Sequence, residues 1–323
     1  KIYVLGLTPW ALLAIGEACR TRRPQWFALW GLLVGLMLLS PHFQMTYYSS
    51  LLMLAFILFT LFTETERPKR LLVLAGFAGV SVLALATAAA QLMPFAEYLP
   101  FSPRSATGSS SSGWEYGTSW AMPAIELVGT MWGGFNGWLG TYWGTNAFKL
   151  HSDYIGLLTG VLALSALLFT PAGGERKRMW FWVGCVIFGT LWVLGGQTPF
   201  YRIPYHLFPM ISKTRAPSMM WGHVALCFGV LASLGFSQWQ AMAAERRELL
   251  AKRFAIVIAV AAGVLLGGSD GMITTLAPDF RASAAMAAVG DARFGLLLGA
   301  GAAIVFAIVA WRVPKLLVVA AVA

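Results

Sequence analysis

Apolar runs of about 16 to 23 residues follow one another along most of the chain, separated by short polar breaks. These lengths are close to the roughly 20 residues a helix needs to cross the hydrocarbon core of a bilayer. The pattern predicts helices over Ile2 to Ala18, Trp26 to Leu39, Met45 to Thr63, Leu71 to Met93, Asp153 to Phe169, Met179 to Leu194, Met219 to Trp239, Phe254 to Gly268 and Phe294 to Trp311, with a tenth starting near Lys315. No run alternates with period two, as the strands of a membrane barrel would. The expected fold class is therefore all-α, a polytopic transmembrane bundle of about nine to ten helices. It forms one domain over residues 1–323 with no separate soluble domain. Lys1 and Ala323 both stand inside apolar runs, so the sequence reads as an interior portion of a longer protein.

Composition agrees with this. Hydrophobic residues make up 58% of the chain and charged residues 11%, against nearly a quarter charged in soluble domains. The net charge of +10 does not indicate nucleic acid, because the cations sit mostly in short breaks between apolar runs. Alternate breaks hold 15 of the 23: Arg20, Arg22, Arg23, Arg67, Lys69, Arg70, Arg176, Lys177, Arg178, Arg246, Arg247, Lys252, Arg253, Arg312 and Lys315. The positive-inside rule makes that side cytoplasmic. The chain is then expected to be a multi-pass membrane protein with outer loops near 40–44, 94–152, 195–218 and 269–293. The three cysteines, Cys19, Cys185 and Cys227, lack metal or disulfide spacing and read as packing residues.

The outer stretch Gly195 to Ser218 departs from the orienting bias, since it carries Arg202, Lys213 and Arg215. Four prolines, at 199, 204, 209 and 217, restrict its backbone, and Phe200, Tyr201, Tyr205, His206 and Phe208 add rings. Phosphate recognition wants cationic donors in a fixed frame, so these three residues are candidate lipid-phosphate ligands. The alternative is an interfacial amphipathic helix from Phe200 to Ile211 that meets headgroups nonspecifically. His42 and Gln44, in a very short turn, face an expected outer substrate cavity with Tyr201 and His206.

Among the outer carboxylates, Glu97 and Asp153 abut predicted helix ends near membrane depth and are the candidate catalytic residues, with an N-cap as the alternative for Asp153. Glu115, Glu126, Asp270, Asp279 and Asp291 complete the outer set, and no DxD pair occurs. The four histidines, His42, His151, His206 and His223, have no ligand spacing; no metal site is assigned, and a divalent cation is the sole cofactor that an outer histidine with a carboxylate would suggest. The loop 94–152 holds a Ser/Gly tip, a short interfacial helix from Pro123 to Trp132, and many Trp and Tyr rings.

Several blocks resemble a known family. Gly196-Gln197-Thr198-Pro199-Phe200-Tyr201, then Tyr205, Phe208-Pro209 and Lys213-Thr214-Arg215-Ala216-Pro217 resemble the "G-x-x-T-P-[LF]-Y … P … [FK]-x-R-x-P" block of the bacterial YfhO membrane proteins. Pro41-His42-Phe43-Gln44 with Tyr47-Tyr48 is similar to that family's "G-H-x-Q-x-x-Y-Y", Gln91-Leu92-Met93-Pro94 with Glu97 to its "Q-x-x-P-x-x-E", and Asp153-Tyr154-Ile155-Gly156 to its "Y-[IV]-G-L". Pro41 replaces the usual glycine, and Lys213 stands near the usual aromatic. The resemblance implies a GT-C-like glycosyltransferase that uses polyprenyl-phosphate sugars on the outer face to modify a cell-envelope polymer. It also implies a catalytic acidic residue in a first outer loop, which would precede Lys1. The partners expected are that sugar donor, membrane lipids and membrane-protein subunits, with no nucleic acid. A noncatalytic scaffold or lipid-binding subunit is the alternative. A transporter is a third option, but broken helices in matching halves are not evident.

Overall fold

The computed structural model describes residues 1–102, 113–146 and 153–312, and among them every regular element is a helix. In chain order these are α1 (Ile2–Thr21), α2 (Pro24–Leu38), α3 (Phe43–Thr63), α4 (Arg70–Tyr98), the short α5 (Trp114–Thr118) and α6 (Glu126–Met131), α7 (Leu157–Phe169), α8 (Gly174–Val193), the short α9 (Arg202–Leu207), α10 (Trp221–Ala241), α11 (Ala244–Leu276) and α12 (Ala282–Arg312). Six of them, α1, α3, α4, α10, α11 and α12, are long and apolar enough to cross a membrane, and α2 and α7 are shorter apolar helices. The protein is thus a helical membrane bundle. The Ser/Gly tip and the expected tenth helix near Lys315 lie outside the described residues.

The chain divides into two compact units, residues 1–121 with 189–226, and residues 122–188 with 227–323. In the first, α2 packs between α1 and α4. Pro24 at the first position starts α2, since its fixed φ suits a helix start and its missing N–H costs nothing there. Phe77 of α4 meets Phe27 and Trp30 of α2 edge-on, at 5.0 and 5.1 Å between centroids. Thr46 Oγ1, buried in this packing, donates to the Met37 carbonyl at 2.9 Å, as a hydroxyl in a dry interior needs a partner. Pro94 lies inside α4, which continues to Tyr98 instead of ending at Met93. The loop expected from Pro94 therefore begins later, after the 3₁₀ turn Leu99–Phe101.

In the second unit α11 and α12 form a long antiparallel pair, with α7 against α12. The segment 269–293, expected as a loop, is helical except at 277–281. Its polar residues are accommodated within that pair: Arg293 bridges to Asp270 at 2.8 Å and to Ser269 Oγ at 3.0 Å. At 33 residues α11 is about 50 Å long, beyond the roughly 30 Å hydrocarbon core, so its ends carry charge. Its first turns hold Arg246, Arg247, Lys252 and Arg253, which the hydropathy pattern assigned to a loop. Lys252 pairs with Glu248 one turn away, and Arg247 donates to the Ala310 carbonyl.

Candidate functional site

The stretch from Gly195 folds as short turns rather than one helix. A 3₁₀ turn at Gly195–Gln197 leads to another at Pro199–Tyr201, then to α9, a further 3₁₀ turn at Ile211–Lys213, and the turn Pro217–Met220 that opens α10. A continuous amphipathic helix from Phe200 to Ile211 does not form. Phe208 is extended ahead of Pro209, as the residue before a proline prefers, and Met210 takes a left-handed φ of 69°. Ala216, with φ 58° and ψ 66°, is a second left-handed residue, so the backbone between them is held by its surroundings rather than by local preference.

What holds it is hydrogen bonding from two sides. The Ala216 N–H donates to the Ser119 carbonyl at 2.9 Å, and Ser218 Oγ donates to the Trp120 carbonyl at 2.7 Å. From α3, Gln44 Nε2 donates to the Arg215 carbonyl at 2.6 Å and to the Tyr48 hydroxyl at 2.8 Å, using both amide protons. Gln44 and Tyr48, four residues apart, share one face of α3, so a single helix surface supports the loop.

Two of the three cations lie over aromatic rings. The Arg215 guanidinium sits 4.0 Å from the Trp120 ring centroid and 5.7 Å from that of Tyr116. Arg202 lies 6.0 Å from Trp114, whose ring also meets Tyr205 edge-on at 5.1 Å. Rings hold a planar guanidinium by its faces and leave its N–H edges for bidentate acceptors such as phosphate. Among the described residues Arg202, Lys213 and Arg215 have no carboxylate partner. Tyr201 is buried, packs against Trp192 and donates to the Gly117 carbonyl at 3.3 Å; burial pushes its phenol up, so it remains a donor.

The remaining candidates distribute as follows. His42 sits at the N-cap of α3, with Nδ1 buried and without a partner among the described residues, and burial holds its imidazole below the ordinary range. Gln44 supports the backbone rather than standing free. His206 is exposed on α9 against Tyr205. Glu97 is exposed in the last turn of α4, and no bond joins it to the cations among the described residues. Asp153 belongs to the other unit and does not cap α7; Gly156, at φ 98°, occupies that position, because the chain reaches α7 through an extended segment whose Ile155 N–H donates to the Thr130 carbonyl.

His151 lies outside the described residues, and no group of three His, Cys, Asp or Glu side chains comes together among those described. Ser119 was not singled out from sequence; Tyr48 entered only within the family-like block, and Trp114, Tyr116 and Trp120 only as rings of the outer surface. Their aromatic content reads equally as an interfacial belt, and nothing in a local pattern pairs them with residues about 100 positions on. No family model, curated protein or solved structure matches the chain.

Proposed function

We propose that this chain is a GT-C-like glycosyltransferase module of the YfhO kind, in a bacterial cytoplasmic membrane, which binds the phosphate of a polyprenyl-phosphate-linked sugar through Arg202, Lys213 and Arg215. The observation that carries this is Arg215: its main chain is fixed by Gln44, its guanidinium is stacked on Trp120, and it has no carboxylate partner among the described residues. Two blocks of the family resemblance, His42 to Tyr48 and Lys213 to Pro217, meet at that contact. In a transfer reaction these cations stabilise the polyprenyl phosphate as negative charge develops on the departing oxygen. They perform no proton transfer.

Loss of one charge-assisted contact to phosphate, roughly 1.5–3 kcal/mol, corresponds to about a ten- to hundredfold effect. Arg215→Ala in the full-length protein should lower sugar transfer from a polyprenyl-phosphate donor to a cell-envelope polymer by that factor. Unchanged transfer would sink the role. A second reading is a noncatalytic lipid-binding subunit, which the lack of a described carboxylate beside the cations favours. It predicts polyprenyl-phosphate binding that is sensitive to Arg215→Ala, with no transfer and with a stoichiometric membrane partner on purification.

A further inference from the structure

Within the first unit a chain of buried hydroxyls ends on a histidine. Thr8 of α1 and Ser49 of α3 are fully buried, and His223 of α10 is 2% exposed. Thr8 Oγ1 lies 2.9 Å from Ser49 Oγ, and Ser49 Oγ lies 2.9 Å from His223 Nε2. Thr8 donates to the Val4 carbonyl one turn back at 2.9 Å. A hydroxyl has one proton, so Thr8 must accept from Ser49, and Ser49 must then accept from His223. The neutral imidazole therefore carries its proton on Nε2. Its Nδ1 has no partner among the described residues.

Burying such a polar chain in an apolar bundle is costly unless its members are hydrogen-bonded, and an ionisable residue kept there points to a task. Its position gives the task. Ser49 follows Tyr48 directly, and the His223 ring meets the Tyr48 ring edge-on at 6.1 Å. Tyr48 in turn packs edge-on against Trp192 at 5.5 Å and accepts from Gln44, whose other amide proton holds the Arg215 carbonyl. A hydrogen bond at Ser49 sets how far α3 is rotated, and that rotation decides whether Gln44 and Tyr48 point at the loop.

We infer that His223 is a positioning residue for Arg215: by donating from Nε2 to Ser49 it fixes the rotation of α3 that places Gln44 on the Arg215 carbonyl. This rests on the reading of Arg215 as a phosphate ligand, and a ligand-free measurement keeps the two separable. With the full chain in phosphatidylcholine nanodiscs and a polyprenyl monophosphate as probe, His223→Leu should weaken binding about tenfold, or 1.4 kcal/mol. His223→Gln, whose amide nitrogen reaches the Nε2 position, should stay within about twofold. In an Arg215→Ala background, His223→Leu should add nothing, because coupled residues are not additive.

Equal effects of Leu and Gln, or an undiminished Leu effect without Arg215, would overturn the inference. If Arg215→Ala leaves probe binding intact, the phosphate reading fails instead, and exchange of the Ala216 amide then decides the positioning role. His223→Leu should speed that exchange, and His223→Gln should not; equal exchange in the two variants rejects it. Should His223→Leu fail to fold, Ser49→Ala removes the same acceptor with a smaller change of volume and carries the same expectations.

Discussion

Gln44→Leu removes a side chain that fastens α3 to the main chain of the cationic loop. The Arg215 carbonyl loses a part-buried 2.6 Å bond and is left unsatisfied, and the Tyr48 hydroxyl loses the Gln44 donor. An abandoned buried acceptor costs roughly 1–3 kcal/mol and an ordinary hydrogen bond about 1, so local opening of the loop should become easier by about 2–4 kcal/mol. That corresponds to exchange about 30- to 900-fold faster. Hydrogen exchange by mass spectrometry on the protein in nanodiscs reads this directly in peptides covering 208–218. Gln44→Glu keeps the volume but has neither N–H and brings a carboxylate to a carbonyl, so it should be at least as severe. Exchange within about threefold of wild type, acceleration spread evenly over α1 and α2, or a Glu variant milder than Leu would each refute the fastening role.

Burial holds the His42 imidazole below its ordinary 6.5, so below that pH the unfolded chain binds more protons than the folded one. Stability should fall as pH drops from 7.5 to 5.5, and His42→Gln should show a smaller fall in denaturant midpoint over the same window. In the second unit, Tyr142 donates to the buried carboxylate of Glu126 and has its phenol pushed up, first by burial and then by that partner. Tyr142→Phe should lower stability by roughly 1.5–3 kcal/mol, read as a lower unfolding midpoint. A methyl group at Gly235 of α10 would overlap the Leu162 carbonyl of α7. Close helix approach in membranes depends on such small residues, and Gly235→Ala should destabilise by about 3 kcal/mol, measured as a fall in melting temperature.

The membrane class was legible from the chain alone, because the length of an apolar run is set by bilayer thickness and needs no partner to be read. So was the oddity of the stretch containing Arg202, Lys213 and Arg215, since positive-inside bias makes unusual cations visible locally. Boundaries were less legible. Pro94 and Ser269 look like helix ends, but Pro94 is carried through a continuing helix, and Asp270 is paired by Arg293 across a helical pair. Asp153 looked like a cap until Gly156, with its positive φ, was found there.

The site itself was decided by tertiary structure. Gln44 was expected to line a cavity; its two amide protons go to Tyr48 and to a carbonyl 171 residues away, partners that no local pattern names. Trp114, Tyr116 and Trp120 read as an ordinary interfacial belt until their rings were seen under guanidinium groups from a distant loop. Hydropathy is a property of each residue and survives in one dimension. A stacked arginine, a satisfied carbonyl and the tautomer of His223 are properties of pairs, and only the folded chain chooses the partners.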